Sequence, residues 1–480
     1  MYHIGDLKKF IRCPRYYFLA RDDKAKFNKF LRTDESIIEL FAKHLHIEEH
    51  FQGVQGDNND KFFDNKDKYE WFVKTRFEDA GLRIRIPIMQ KDEDRFDLYF
   101  VHNGTAIKEL DYFYYRVNLE VLRKLGVEVD DVYIAYINGN YVFEDELDID
   151  SLFIITDHYK GKRLIDLFDD EICDYKEIIR RIEATSLDSY NPKKIRFCHN
   201  RNICPYYYDC FKEELDMPDD SILTLVSSQY KDQMCKSGIK YLKDADLNLV
   251  EGNRVQYAQI MASKNGGMFI DKYSLEFFLD SIKERPISFV DFEWDTYLVP
   301  QYNKMKALDV IPFEYALYVL EEDGTLNNYS FVGNGDCRKE FLEDLLEKLP
   351  KEGPILAYNA NGAECRRLNE LAEIFPDYKE EIDKVVNRFV DLASPFLEGV
   401  VYDIRMEGNF TLKRLVNIVS DYDYKKLDIS DGMDAVYNWR NIDKGVDNID
   451  EEGIVNKLIE YCSLDAYGLY LVYNWLNKLI

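Results

Sequence analysis

No histidine follows His199, and all seven of the chain's histidines lie at or before that position. That gap excludes Ser-His-Asp and Cys-His catalysis built from the C-terminal half alone. Chemistry there has to rest on carboxylates, tyrosine, lysine, cysteine or metal. No apolar run approaches the length of a membrane span. The start, Met1-Tyr2-His3-Ile4-Gly5-Asp6, lacks the basic and apolar regions of a signal peptide, so the expected location is the cytoplasm, with no membrane partner. Nine cysteines, an odd number at ordinary density, argue against a disulfide framework. Positive charge is also short. With 63 Lys and Arg against 90 Asp and Glu, the net charge is −27. Such a surface does not coat nucleic acid non-specifically, yet it leaves room for a local basic groove and suits a carboxylate centre loaded with metal.

What is present is enough for two to four domains. The 480 residues are 46% hydrophobic and 15% aromatic, which can build large cores. The pattern divides into three regions and reads as α/β overall. Residues 1–212 mix helices and strands, and their His44, His46 and His50 read as one helix, with His46 and His50 at i,i+4. Residues 213–285 read as a mostly helical connector rich in Lys, Asp and Gln. Residues 286–480 run strand, strand, strand, helix, strand, helix. The strands are expected at 287–292, 313–320, 326–331 and 355–358, with Glu322-Asp323-Gly324 as a hairpin signal. Helices are expected at about 338–348, 364–374, 411–419 and 454–477.

The apolar run Ile287-Ser288-Phe289-Val290 ends in Asp291-Phe292-Glu293. Residues i and i+2 of a strand share a face, so both carboxylates point the same way. Two acids at the end of a buried strand repel and call for a cation, for which a hard divalent metal such as Mg²⁺ or Mn²⁺ is suited. Tyr358-Asn359 closes a later strand, and a helix follows from Glu364. Tyr461 and Asp465 lie four apart in a helical segment and share a face. Asp-x-Glu alone is a weak signal in so acidic a chain; its strand placement and the order of the later residues strengthen it.

This order resembles the RNase H-like 3′–5′ exonucleases, which use four acids and two metals. The resemblance makes Asp291 and Glu293 the first motif and Tyr461-Cys462-Ser463-Leu464-Asp465 the tyrosine version of the third. Asn359 and Glu364 match the second motif with two departures: Glu stands in place of Asp, and the spacing is one residue longer. It implies two Mg²⁺ or Mn²⁺ ions about 4 Å apart on the scissile phosphate. Asp291 would bridge them, Glu293 and Asp465 would bind one each, and Glu364 would bind directly or through water. Tyr461 would orient the attacking water or help deprotonate it. Asn359, Arg367 and Lys413 are weaker candidates for substrate contacts.

Cys198, Cys204 and Cys210 are evenly spaced in a stretch that includes Cys204-Pro205-Tyr206, which suggests soft-metal ligation, with Cys13 as the best fourth ligand. A 4Fe–4S cluster, zinc and unliganded thiols all stay open on the spacing. One cysteine near the start and three far downstream resemble the iron–sulfur version of the RecB-like nuclease domain, of the PD-(D/E)XK type. That resemblance implies a 4Fe–4S staple on Cys13, Cys198, Cys204 and Cys210. It also implies an Asp on one strand and Glu-x-Lys on the next. The matching strands are 82–88, which has no Asp, and 96–103, where Phe100 and His102 stand at the Glu and Lys positions. The expected N-terminal domain is therefore a nuclease fold without its active site. A helix at about 112–125 and a strand at 132–137 complete it. Asp97 and Lys108 are the nearby candidates to rescue it.

The whole chain is similar to a bacterial family of uncharacterised proteins that join such a RecB-like iron–sulfur domain to an RNase H-like exonuclease domain. The expected function is a metal-dependent 3′–5′ exonuclease on single-stranded DNA or RNA ends. The alternative is a catalytically silent nucleic-acid-binding scaffold in DNA repair or phage defence.

Overall fold

The computed structural model describes residues 1–22, 34–169, 173–187, 198, 204–207, 209–213, 217–422, 424, 427–429, 431–443 and 449–480. They group into two compact units. Unit 1 is Met1–Pro192 with Tyr297–Asp309, and unit 2 is Lys193–Thr296 with Val310–Ile480.

Unit 1 is built on a seven-stranded sheet. Its strands are β1 (Tyr2–His3), β2 (His50–Gln52), β3 (Trp71–Asp79), β4 (Leu82–Asp92), β5 (Arg95–His102), β6 (Val129–Ile137) and β7 (Phe153–Thr156). The order is β2-β3-β4-β5-β6-β7, with β1 beside β4. Ala80-Gly81 joins β3 to β4 with φ of 47° and 81°, and two positive values in a two-residue loop match the right-handed twist of a hairpin. β5 and β6 are parallel, so the chain must cross over between them. The helix Tyr112–Lys124 makes that crossing. Its buried Tyr115, Leu119 and Leu122 recur at helical spacing and pack on Phe100, Ile86 and Phe77. A small hairpin, β8 (His158–Tyr159) and β9 (Lys162–Arg163), follows.

Tyr297–Asp309 packs on the cluster that holds Ile38, Phe41, Ile88 and Ile137, through Leu298, Val299 and Ala307. Its Lys304 and Met305 exchange backbone hydrogen bonds with Phe143 at 2.9 and 2.8 Å. The histidine helix is shorter than expected: Asp34–His44 ends before His46, whose φ is 52°, and His50 opens β2. A left-handed residue terminates a helix, so the three histidines do not share one face.

Unit 2 contains β10 (Met268–Ile270), β11 (Ile287–Thr296), β12 (Val310–Leu320), β13 (Leu326–Val332), β14 (Ile355–Ala357), β15 (Phe389–Asp391) and β16 (Val401–Asp403). Five of these form a mixed sheet in the order β13-β12-β11-β14-β15. The first three are antiparallel, and β11, β14 and β15 run parallel. Val290, Phe292 and Leu317 face one way, onto Phe341, Leu345 and Leu368 of the helices Arg338–Lys348 and Glu364–Ile374. The opposite face meets the C-terminal helix Glu451–Asn477. There Phe289 lies 5.6 Å from the rings of Tyr470 and Tyr473, and Ala316 packs on Cys462 and Ala466. Small side chains at that contact let helix and sheet approach closely.

The segment read as a helical connector lies within unit 2. It carries the helices Lys231–Lys236, Arg254–Lys264 and Lys272–Asp280 among short 3₁₀ turns, and β10 pairs antiparallel with β16. Ser221, Asp246, Asn253 and Asp271 each cap a new element by accepting a backbone N–H, which breaks the segment into pieces. Among the described residues, no helix is long and apolar enough to cross a membrane.

Candidate metal centre

β11 alternates between the two layers, so Asp291 and Glu293 face the C-terminal helix while Val290 and Phe292 face the core. Asp465 comes from that helix. Ligand atoms of Asp291, Glu293 and Asp465 lie within 4.8 Å of one another, the one such group among the described residues. Burial pushes the Asp291 and Asp465 carboxyls upward and Glu293 to about 8. Mutual repulsion adds to the shift at Asp291 and Glu293. Lys413 and the hydroxyls of Tyr424 and Tyr461 pull Asp465 the other way.

Glu364 opens its helix and is 2% exposed. The backbone amides of Glu364 and Phe292 meet its carboxyl, but Oε2 has no hydrogen-bond partner. Burial pushes it to about 8, and the charges of Asp391 and Glu293 add to this. Its own charge in turn raises Asp291. Gly432 begins the helix Gly432–Asp443 so close to Glu293 that a Cβ there would lie 3.0 Å from Oε2.

Tyr461 sits one helical turn before Asp465. Lys413 Nζ donates to its hydroxyl oxygen at 2.8 Å and lies 4.6 Å from the ring centre. That hydroxyl also meets the carboxylates of Glu293 and Asp465. Burial first, then the charges of Asp465 and Glu293, drive its pKa far up, so it stays a neutral hydroxyl. Tyr424 donates to Asp465 Oδ1 at 2.7 Å, and Cys462 Sγ lies 3.6 Å from Asp291 Oδ2.

The structure thus gathers Asp291, Glu293, Glu364, Tyr461, Asp465 and Lys413. The other two candidates are engaged elsewhere. Asn359 is exposed in a left-handed turn with φ of 62°, and its N–H donates to Asp391 Oδ1 at 2.8 Å. Arg367 is buried, bonded twice to Glu370 at 2.8 and 2.9 Å, with its guanidinium 5.0 Å from the Trp294 ring centre. Asp391 also accepts from Ala393 N–H, the work of a capping acid.

Glu314 was not anticipated. It stands opposite Glu293 across β11 and β12, is fully buried, and neither carboxyl oxygen has a hydrogen-bond partner. Burial and the charges of Glu293 and Asp465 push it well above the usual carboxylate range. The signal in the sequence was a lone acid inside the apolar run Pro312-Phe313-Glu314-Tyr315-Ala316.

No disulfide joins any of the nine cysteines. In unit 1, Cys13 sits between the helices Ile4–Arg12 and Pro14–Asp22, where its N–H donates to Lys9 O at 3.0 Å. In unit 2, Cys204 N–H donates to Cys198 O at 3.1 Å, and Cys210 N–H donates to Tyr206 O at 3.0 Å. His199 lies outside the described residues. The strands expected to carry the lost RecB-type site are β4 and β5. Phe100 is core, and Asp97 Oδ1 accepts from Asp131 N–H at 3.1 Å.

Residues 288–411 are similar to a family described only as a domain of unknown function, DUF2779. That stretch holds Asp291, Glu293, Glu314 and Glu364 and stops short of Lys413, Tyr461 and Asp465. No curated protein and no solved structure matches the chain.

Proposed function

We propose that the protein is a metal-dependent nuclease, a 3′–5′ exonuclease that hydrolyses phosphodiesters at single-stranded nucleic-acid ends in unit 2. The observation that carries this reading is the convergence of Asp291, Glu293 and Asp465 within 4.8 Å beside a buried Glu364 with an orphaned oxygen. Four carboxylates facing one lysine need further positive charge, and oxygen donors of this kind suit Mg²⁺ or Mn²⁺. Asp291, Glu293, Asp465 and Glu364 would hold two such ions. When bound, these supply charge neutralisation at phosphorus and acidify the attacking water.

The chain's own residues do the rest. Lys413 donates into the Tyr461 oxygen and the phenolic hydrogen points at the carboxylates, which leaves the oxygen's second lone pair to accept from a water and orient it there. A hydroxyl held protonated by burial positions the nucleophile and does not act as its base. The sheet order β13-β12-β11-β14-β15, with the acids on the central β11 and on a helix across its face, supports an RNase H-like fold. In unit 1, the crossover helix between parallel β5 and β6 supports the RecB-like reading. Cys198, Cys204 and Cys210 within one short stretch, with Cys204 N–H bonded to Cys198 O, support thiolate ligation of the expected 4Fe–4S cluster.

One observation favours the silent-scaffold reading: Lys413 already places a permanent cation among the acids. The test is cleavage of end-labelled single-stranded DNA and RNA with Mn²⁺, comparing wild type with Asp291→Asn/Asp465→Asn. Laddering from the 3′ end that the double variant loses is the expected result. Absence of cleavage by the wild type with Mn²⁺ bound would overturn the exonuclease reading in favour of the scaffold.

A further inference from the structure

In unit 2, the helix Lys272–Asp280 is apolar on both sides. Leu275 and Leu279 turn inward and are buried. Tyr273 and Phe277 lie one turn apart on the opposite side, 86% and 80% exposed. A surface helix ordinarily turns charged and polar residues to water, so two bare rings at i,i+4 are not explained by packing of the core. Aromatic surface also lies on the neighbouring helix. Arg254 Nη2 donates to Ser274 Oγ at 2.8 Å, which sets the start of the helix Arg254–Lys264 against the first turn of this one. Tyr257, about one turn further along, is 42% exposed and meets Phe269 of β10 edge-on at 5.8 Å.

Area, charge and shape decide what such a face can take. Two rings exposed to this extent offer about 300 Å² together. Each partner of a stable dimer buries about 800 Å², so a second copy of the chain is disfavoured. Over residues 272–285, Lys272, Lys283 and Arg285 balance Glu276, Asp280 and Glu284, in a chain whose net charge is −27. A polyanion therefore meets less repulsion here than over the average surface. The rings stand on a convex helix face and accept flat partners, one to each ring. Every base has a π-face, so exposed rings can hold a single strand without reading its sequence. A duplex keeps its bases stacked on one another and does not offer them.

We propose that Tyr273 and Phe277 form a stacking platform for the bases of single-stranded DNA or RNA, apart from the carboxylate centre. The choice of a nucleic-acid occupant rests on the nuclease reading. The platform holds the body of the strand, and the carboxylates act on its end. Contacts within unit 2 link the two places. Phe269 pairs with Tyr402 across β10 and β16, the Tyr402 ring meets Phe410 at 6.0 Å, and Lys413 follows in the helix Leu412–Val419.

The test is fluorescence anisotropy with the full chain in EDTA, which prevents turnover. The probes are labelled oligothymidylate, labelled oligouridylate, and an abasic strand of the same length that keeps the phosphates and lacks the bases. At least one base-bearing strand is expected to bind about tenfold or more tighter than the abasic one. Tyr273→Leu and Phe277→Leu should each weaken that binding about tenfold, since Leu keeps an apolar side chain and removes the ring. Tyr273→Phe keeps the ring and should stay within about twofold of wild type. Both rings point to solvent, so these variants are expected to fold as wild type does. Equal binding of the abasic strand, or unchanged binding in the Tyr273→Leu/Phe277→Leu double variant, overturns the proposal. A dimer seen by sedimentation in the wild type and lost in the double variant overturns it too, and assigns the face to a second copy. Ring-dependent binding without any Mn²⁺-dependent cleavage would keep the platform while the exonuclease reading falls. Cleavage with ring-independent binding would do the reverse.

Discussion

Replacing Glu314 with Met should stabilise the metal-free protein. Glu314 lies in the middle of β12, fully buried, with two carboxyl oxygens that no donor satisfies and with Glu293 directly opposite. A buried polar group without a partner costs about 1–3 kcal/mol. Met is close to Glu in length and volume, so repacking should give back less than about 1.5 kcal/mol. The expected net gain is about 1–2 kcal/mol, and a domain of this size moves by about 2–4 °C in Tm for each kcal/mol. Glu314→Gln is the control. It removes the acid and keeps an unpaired amide in the same space, so it should recover less than Met does. The assay is thermal and urea unfolding in EDTA at neutral pH, followed through Trp439, which packs on β12 at Phe313 with ring centres 4.6 Å apart. A Met variant that melts at or below wild type, or a Gln variant that gains as much as Met, would refute the claim that the carboxyl is a buried, unpartnered cost. A stable variant that also loses Mn²⁺ affinity would show why the cost is kept.

The metal-free protein should lose stability as pH rises. Burial lifts Glu293 and Glu364 from 4.5 in the unfolded chain to about 8, so between those values the folded form keeps protons that the unfolded form has released. The slope is at most about 1.4 kcal/mol per pH unit for each group, and Mn²⁺ should reverse the loss at pH 8; urea midpoints in EDTA that are flat or rising over this window would contradict it. Arg440→Met should destabilise unit 2 by about 3–5 kcal/mol by stranding a buried charge, because Arg440 binds Asp295 through two contacts of 2.6 Å and Asp295 is 1% exposed; chemical denaturation measures it, and a loss under 1 kcal/mol would show that Asp295 finds another partner. Tyr461→Phe should lower kcat by about 10²-fold with KM little changed, as expected when a group that positions the nucleophile is lost; single-turnover rates at saturating Mn²⁺ decide it, and a wild-type rate would remove Tyr461 from the mechanism.

The elements around the centre were legible because their signals are local. The strands read at 287–292 and 326–331 fall within β11 and β13, and the helices read at 338–348 and 364–374 fall at Arg338–Lys348 and Glu364–Ile374. Tyr461 and Asp465 could be placed on one helical face from their spacing alone. What escaped depends on pairing between distant segments. Glu314 became part of the centre only through its register with Glu293. Lys413 was weighed as a phosphate contact, but its 2.8 Å bond joins residues 48 apart in sequence. Arg367 was weighed as a substrate contact, but the Trp294 ring and Glu370 engage its guanidinium. The 213–285 segment, read as mostly helical, does carry three helices, but where they break is decided by capping side chains and so by individual hydrogen bonds.

Tyr297–Asp309 leaves β11 of unit 2, joins unit 1, and returns as β12. The chain therefore passes from one unit to the other three times, and no single cut separates them. During translation, unit 1 cannot be finished when residue 192 leaves the ribosome. Its apolar cluster awaits Leu298, Val299 and Ala307, by which time the strand with Asp291 and Glu293 has been made. A truncated chain ending near residue 212 should expose that cluster and associate or be degraded, whatever the quality of its own sheet.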